Sequence, residues 1–144
     1  MKHASQIKSL STLVTLRERE VDKLTADVAS QQAVRERYLR NLDRMDQLCA
    51  STAAQPAISP LLAMNSGEYR LSLMQMADQH RQQLALHEAD MALSRQALQD
   101  AARRREVLDQ VLTRQQGVAQ RAQAAQDQKR QDDLAAQVWL RGRA

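Results

Sequence analysis

Residues 7–28 read IKSLSTLVTLREREVDKLTADV, and the rhythm of apolar side chains in that stretch decides the fold. Ile7, Leu10 and Val14, then Val21, Leu24 and Val28, recur at alternating three- and four-residue steps. That spacing lines them along one stripe of an α-helix and asks for a second helix to cover it. The same register runs on through Tyr38, Leu42, Met45 and Cys49. Three of its positions, Arg17, Gln31 and Arg35, are polar; either they fix register and orientation at some cost in stability, or the partner helix is offset there. Glu18, Arg19, Asp22, Lys23, Glu36, Arg37 and Arg40 are the solvated flanks, with Glu36 and Arg40 spaced for an i,i+4 pair.

Moving toward the C-terminus, the pattern breaks between about Ser51 and Ser66. Ala53-Ala54-Gln55-Pro56-Ala57-Ile58-Ser59-Pro60 and Asn65-Ser66-Gly67 are turn and breaker chemistry, and the hairpin tip belongs there. Ser66 or Asn65 serves as the cap of a second helix. Its own seam is Leu73, Ala77, His80, Leu84, His87, Met91, Leu98, Ala101, Leu108 and Leu112, interrupted by Ser94 and Arg105. The expectation is all-α: a single domain over residues 1–144, two long helices in an antiparallel coiled-coil hairpin. Helix 1 covers about 5–52, a connector about 53–66, and helix 2 about 67–140.

With the tip centred near residue 59, residue i lies opposite roughly residue 118 − i, so Ile7 meets the neighbourhood of Val111 at about 1.5 Å of rise per residue. Everything after about Leu112 is then an overhang. Thr113 to Asp133 holds only Val118 as a large apolar residue, the composition of a helix without an intramolecular partner. Gly117 weakens it and marks a flexible joint.

Composition supports this reading and excludes others. Phe is absent, Trp139, Tyr38 and Tyr69 are the aromatic residues, and Pro is confined to Pro56 and Pro60, so a compact mixed core is not expected. The 21 Lys and Arg against 17 Asp and Glu leave a formal +4, mixed in sign along the chain rather than gathered in an arm. Cys49 is the one cysteine, which rules out an intramolecular disulfide and suggests a reducing compartment. No run of about eighteen apolar residues occurs, and Met1 to Gln6 leads into charged sequence, so neither a membrane span nor a classical secretion signal is expected.

Catalytic chemistry is not expected either. There is no phosphate-cradling glycine loop, nucleophile elbow or cysteine-rich metal pattern. His80 and His87 share a face, but seven residues span about 10 Å along a helix, too far to ligate one ion together. Asp132 and Asp133 are adjacent and point about 100° apart, with no cleft around them. Arg103-Arg104-Arg105 is the densest basic run, yet Asp100, Glu106 and Asp109 surround it and no aromatic residues interleave, so nucleic-acid binding is not the expectation. No cofactor is called for.

The tail restores apolarity: Leu134, Val138, Trp139 and Leu140 lie beside Arg141 and Arg143. Trp and Arg are enriched where partners dock. The other readings of this tail are self-association and packing back on Leu10 and Leu13.

These pieces resemble the FliJ family, the small coiled-coil component of the bacterial flagellar type III export apparatus. The resemblance rests on the helix layout and two motifs. Tyr69, Leu73, Met76 and His80, ending in Gln79-His80-Arg81, look like the family's contact face for the cytoplasmic domain of the transmembrane export gate; Tyr38 and Leu42 are its first-helix counterpart. The tail Gln128-Lys129-Arg130-Gln131-Asp132-Asp133-Leu134-Ala135 with Arg141 is similar to the family's charged terminus, with Asp133 where Glu is commoner.

The resemblance implies a cytoplasmic, non-enzymatic stalk and adaptor, peripheral at the inner face of the membrane through its partners. It implies that Lys129, Arg130, Asp132, Asp133, Leu134, Val138, Trp139 and Arg141 contact and activate the export ATPase hexamer, and that export chaperones are further partners. An injectisome stalk protein and a purely structural, self-associating coiled coil are the competing readings.

Overall fold

The computed structural model describes residues 2–54, 56 and 59–143, and two helices account for nearly all of them: α1 (Lys2–Ala54) and α2 (Pro60–Arg141). No strand occurs among the described residues, and the two helices pack as a hairpin. Of the expected connector, Gln55, Ala57 and Ile58 lie outside the described residues. The second helix starts about two turns before residue 67, where the turn chemistry of Asn65-Ser66-Gly67 placed it. Its cap is Ser59 rather than Ser66 or Asn65. The Ser59 hydroxyl accepts the Leu62 backbone N–H at 3.2 Å, and its carbonyl accepts that of Ala63 at 3.0 Å. Pro60 then occupies the first helical position, where a missing N–H costs nothing and a fixed φ suits the helix. Read as a breaker, Pro60 is in fact the starter.

The helices divide between two compact units, Asp22–Gln99 and Met1–Val21 with Asp100–Ala144. In the first, Leu42, Ala77 and Leu84 form the core cluster, with Tyr38 and Met45 packed against it. Leu73 and Met91 are also buried. Every expected apolar seam residue in this unit, including Cys49, is buried or half-buried. The polar seam positions are held by cross-helix contacts: Gln31 to Ser94 at 3.0 Å and Arg35 to Glu88 at 2.7 Å. These residues fix register in place of apolar contact.

In the second unit Val14, Ala101 and Leu112 are buried, and the polar seam residue Arg105 reaches Glu18 at 2.8 Å. That hydrogen bond is the main reason the Arg105 guanidinium is held above its ordinary pKa. Burial acts the other way. Because arginine is protonated throughout the accessible range, the shift adds no pH dependence to stability near neutrality.

Arg35 facing Glu88 and Glu18 facing Arg105 place residue i opposite roughly residue 123 − i, instead of 118 − i. Ile7 therefore lies opposite about residue 116, not Val111, a slide of about 7 Å along α2. The tip is asymmetric, and that is the cause. Thr52 and Ala53 share a cleft with Ser66, Gly67 and Arg70, so the opening turns of α2 run past the end of α1. Partial burial correspondingly continues through Gln115, Gly117 and Ala119, and the overhang begins at residue 120 rather than 113.

The helix passes straight through Gly117 without a positive φ, and a Cβ built there meets nothing within 4 Å. Gly117→Ala is accordingly expected to stabilise the chain by up to about 1 kcal/mol, seen as a higher melting temperature by circular dichroism. A drop would show that Gly117 is a needed break.

Candidate interaction sites

The six residues expected at the gate contact divide into two groups. Leu42 and Leu73 are buried in the seam, while Tyr38 and His80 are half-buried with their rings edge-on at 5.9 Å. These four hold the hairpin together and leave little surface for a partner. Tyr69 and Met76 are exposed, Tyr69 by 49%.

Labelling the seam positions a and d, with Leu42 and Ala77 at a, makes Tyr69 and Met76 g residues. On the opposite flank, the e residues pair across the helices: Asp46 with Arg81 at 3.2 Å and Gln32 with Arg95 at 3.2 Å. One flank of this unit is therefore bridged by polar pairs, with Leu39 and Met74 exposed between them. The other carries apolar residues near the tip, and to Tyr69 and Met76 it adds Leu62 and Leu48, both exposed. Sequence reasoning missed Leu62 and Leu48 because it scored seam positions alone. The available signal was their heptad phase: Leu62 stands seven residues before Tyr69, and Leu48 immediately precedes the seam residue Cys49.

A second feature of this unit lies inside the seam. The Gln31 carbonyl oxygen is 2.8 Å from His87 Nε2; a carbonyl only accepts, so His87 carries its hydrogen on that nitrogen. The Gln31 side-chain amide donates to the Ser94 hydroxyl, but its Oε1 is buried with no partner. An unsatisfied buried oxygen costs about 1–3 kcal/mol. Gln31→Leu removes that cost, keeps the backbone carbonyl for His87, and leaves Ser94 free to bond its own helix. The expected result is a gain of about 1 kcal/mol in urea unfolding; a loss would mean that Gln31 is satisfied in solution.

At the other site, residues 120–143 are exposed throughout. Lys129, Arg130, Asp132, Asp133, Leu134, Val138, Trp139 and Arg141 thus all stand on a free helix, with Trp139 58% exposed. The alternative of Trp139 packing back on Leu10 and Leu13 is not what this unit does. Instead Arg143 sits over the indole, 4.2 Å from its centroid, a cation–π contact that the spacing i,i+4 foreshadows. Arg130 and Asp127 approach at 3.9 Å, a weak surface pair.

Among the described residues no polar or charged residue is buried, and no three His, Cys, Asp or Glu side chains are grouped to hold a metal ion. No described helix is long and apolar enough to cross a membrane. What the chain offers is surface: an open flank near the tip and an uncovered helix end.

A family model described as Flagellar FliJ protein matches residues 6–144. No curated protein and no solved structure matches the chain.

Proposed function

The chain belongs to the flagellar FliJ family and so is a component of the flagellar export apparatus; on that basis we propose that it is a non-enzymatic stalk and adaptor joining the export ATPase to the export gate. The observation that carries this reading is the free helix from residue 120 onward, which ends in Leu134, Val138 and Trp139 beside Lys129, Arg130, Asp132, Asp133 and Arg141. An apolar, tryptophan-bearing helix end rimmed by mixed charge suits a ring whose inner wall is itself of mixed polarity. The open flank of Tyr69 and Met76, enlarged by Leu62 and Leu48, is the surface for the cytoplasmic domain of the gate. Tyr38, Leu42, Leu73 and His80 support that surface from within the seam.

In this role the protein works in the cytoplasm and reaches the membrane only through its partners, export chaperones among them. It uses no cofactor and binds no nucleic acid. Substituting Tyr69 and Met76 with Asp tests the assignment of the two ends. Binding to the cytoplasmic domain of the gate, measured by titration calorimetry, is expected to weaken at least tenfold, about 1.4 kcal/mol, with ATPase binding unchanged. Undiminished gate binding would remove the tip flank from the account.

A further inference from the structure

The proposed function leaves a third surface unused, in the unit formed by Met1–Val21 and Asp100–Ala144. Arg17, Arg103, Arg104, Val107 and Leu108 line a shallow hollow of about 380 Å³ there, between α1 and α2. Val107 is 60% exposed, Val111 one turn on is exposed as well, and Leu13 and Leu16 are exposed on α1 within a turn of Arg17. None of these four is a seam residue. Side chains spaced by three or four share a helix face, so both helices present apolar residues on the same flank of the seam. Isolated exposed leucines are ordinary, but several converging on one groove mark a binding surface.

The charges around the groove choose the partner. On this flank stand Arg17, Arg103, Arg104 and Arg114 against Glu20 and Asp100. Arg17 and Glu20 neutralise each other at 2.7 Å, while Arg103, Arg104 and Arg114 form no ion pair among the described residues. Across the seam the other flank carries Glu18 and Asp109, and Glu18 binds Arg105. Lys8 and Glu106 stand on that other flank too, so one side of the pair is net basic and apolar, the other net acidic.

We propose that this groove binds one amphipathic helix of a partner protein, its apolar stripe seated on Leu13, Leu16, Val107 and Val111 and its glutamate- or aspartate-rich margins paired with Arg103, Arg104 and Arg114. The chain here supplies two helices of a three-helix bundle. A third helix lying in the groove covers the exposed apolar residues, and arginine forks hold its carboxylates in register. Neither the helix beyond residue 120 nor the tip flank takes part, so this contact is independent of the two proposed above.

The probe is a synthetic helix about three heptads long, with leucines along one stripe and glutamates on both margins, labelled for fluorescence anisotropy and titrated with the full chain. A matched peptide with lysines in place of the glutamates is the control. Saturable binding is expected for the glutamate peptide, at least tenfold tighter than for the lysine peptide and weakening as salt is raised. Val107→Asp and, separately, Arg104→Glu each lower it at least tenfold while circular dichroism stays that of the parent; both residues are exposed, so the fold does not depend on them. Equal binding of the two peptides, no binding, or full binding by both variants overturns the proposal. So does a dimer of the chain in sedimentation that Val107→Asp dissociates, which assigns the groove to a second copy.

Discussion

Leu84→Asp is expected to lower the melting temperature of the chain by roughly 15 °C. Leu84 is buried in the one cluster that unites Leu42 and Ala77 with Tyr38 and Met45. Truncation alone, as in Leu84→Ala, removes apolar contact and leaves a gap, at about 2–3 kcal/mol in a seam with solvent on either side. A carboxylate at that place also has no partner among its apolar neighbours and must draw in water or take up a proton. The total of about 4 kcal/mol corresponds to that drop in a domain of this size. Leu84→Met keeps volume and apolar character and is expected to cost less than about 1.5 kcal/mol. Thermal melting of the three variants checks the ranking. A tolerated aspartate would mean that the seam opens locally and that the two helices are held elsewhere.

Ending the chain after Ala119 is expected to abolish co-sedimentation with the export ATPase without changing the melting temperature. Residues 120–143 touch no other part of their unit to any depth that burial registers, so their removal leaves the paired portion intact. A long helix without tertiary cover is marginal by itself and owes its persistence to continuity with the paired turns before it. That economy of contact makes it suited to meeting a partner. If the shortened chain instead melts lower, the overhang contributes to folding; if it still binds the ATPase, the contact lies in the paired turns.

Residue spacing made the seam legible. The seam residues from Ile7 to Cys49 and from Leu73 to Leu112 fall at buried or half-buried places, because a three-four repeat sustained over this length lines up one continuous stripe. The register was less legible, since it depends on where a short tip turns the chain, and Pro60 can open a helix as readily as close one. The five-residue error traces to that proline and to Ser59. At the candidate gate contact the letters were informative and the faces were not. The spacing of Tyr69, Leu73, Met76 and His80 puts them on one half of a helix, and the structure divides that half, with Leu73 and His80 in the seam and Tyr69 and Met76 on the open flank. The tail was readable because it holds Val118 as its one large apolar residue over more than five turns and then regains such residues at Leu134, Val138 and Trp139.

The same contrast explains why polar seam residues need the structure. Arg35 and Arg105 look like interruptions in a list of apolar positions. In place, each spans the seam to an acid on the facing helix, Glu88 and Glu18, and such pairs fix alignment more than they add stability.

The central claim, that the uncovered end of α2 engages and activates the export ATPase, is tested most directly by ATP hydrolysis. The export ATPase of the same organism is assayed with the full chain titrated in and with Trp139→Ala in parallel. Saturable stimulation by the full chain, reduced at least tenfold in potency for the variant at unchanged helicity, is the predicted result. No stimulation, with a stable self-assembled species formed by the chain alone, would contradict the claim and make the protein a structural coiled coil.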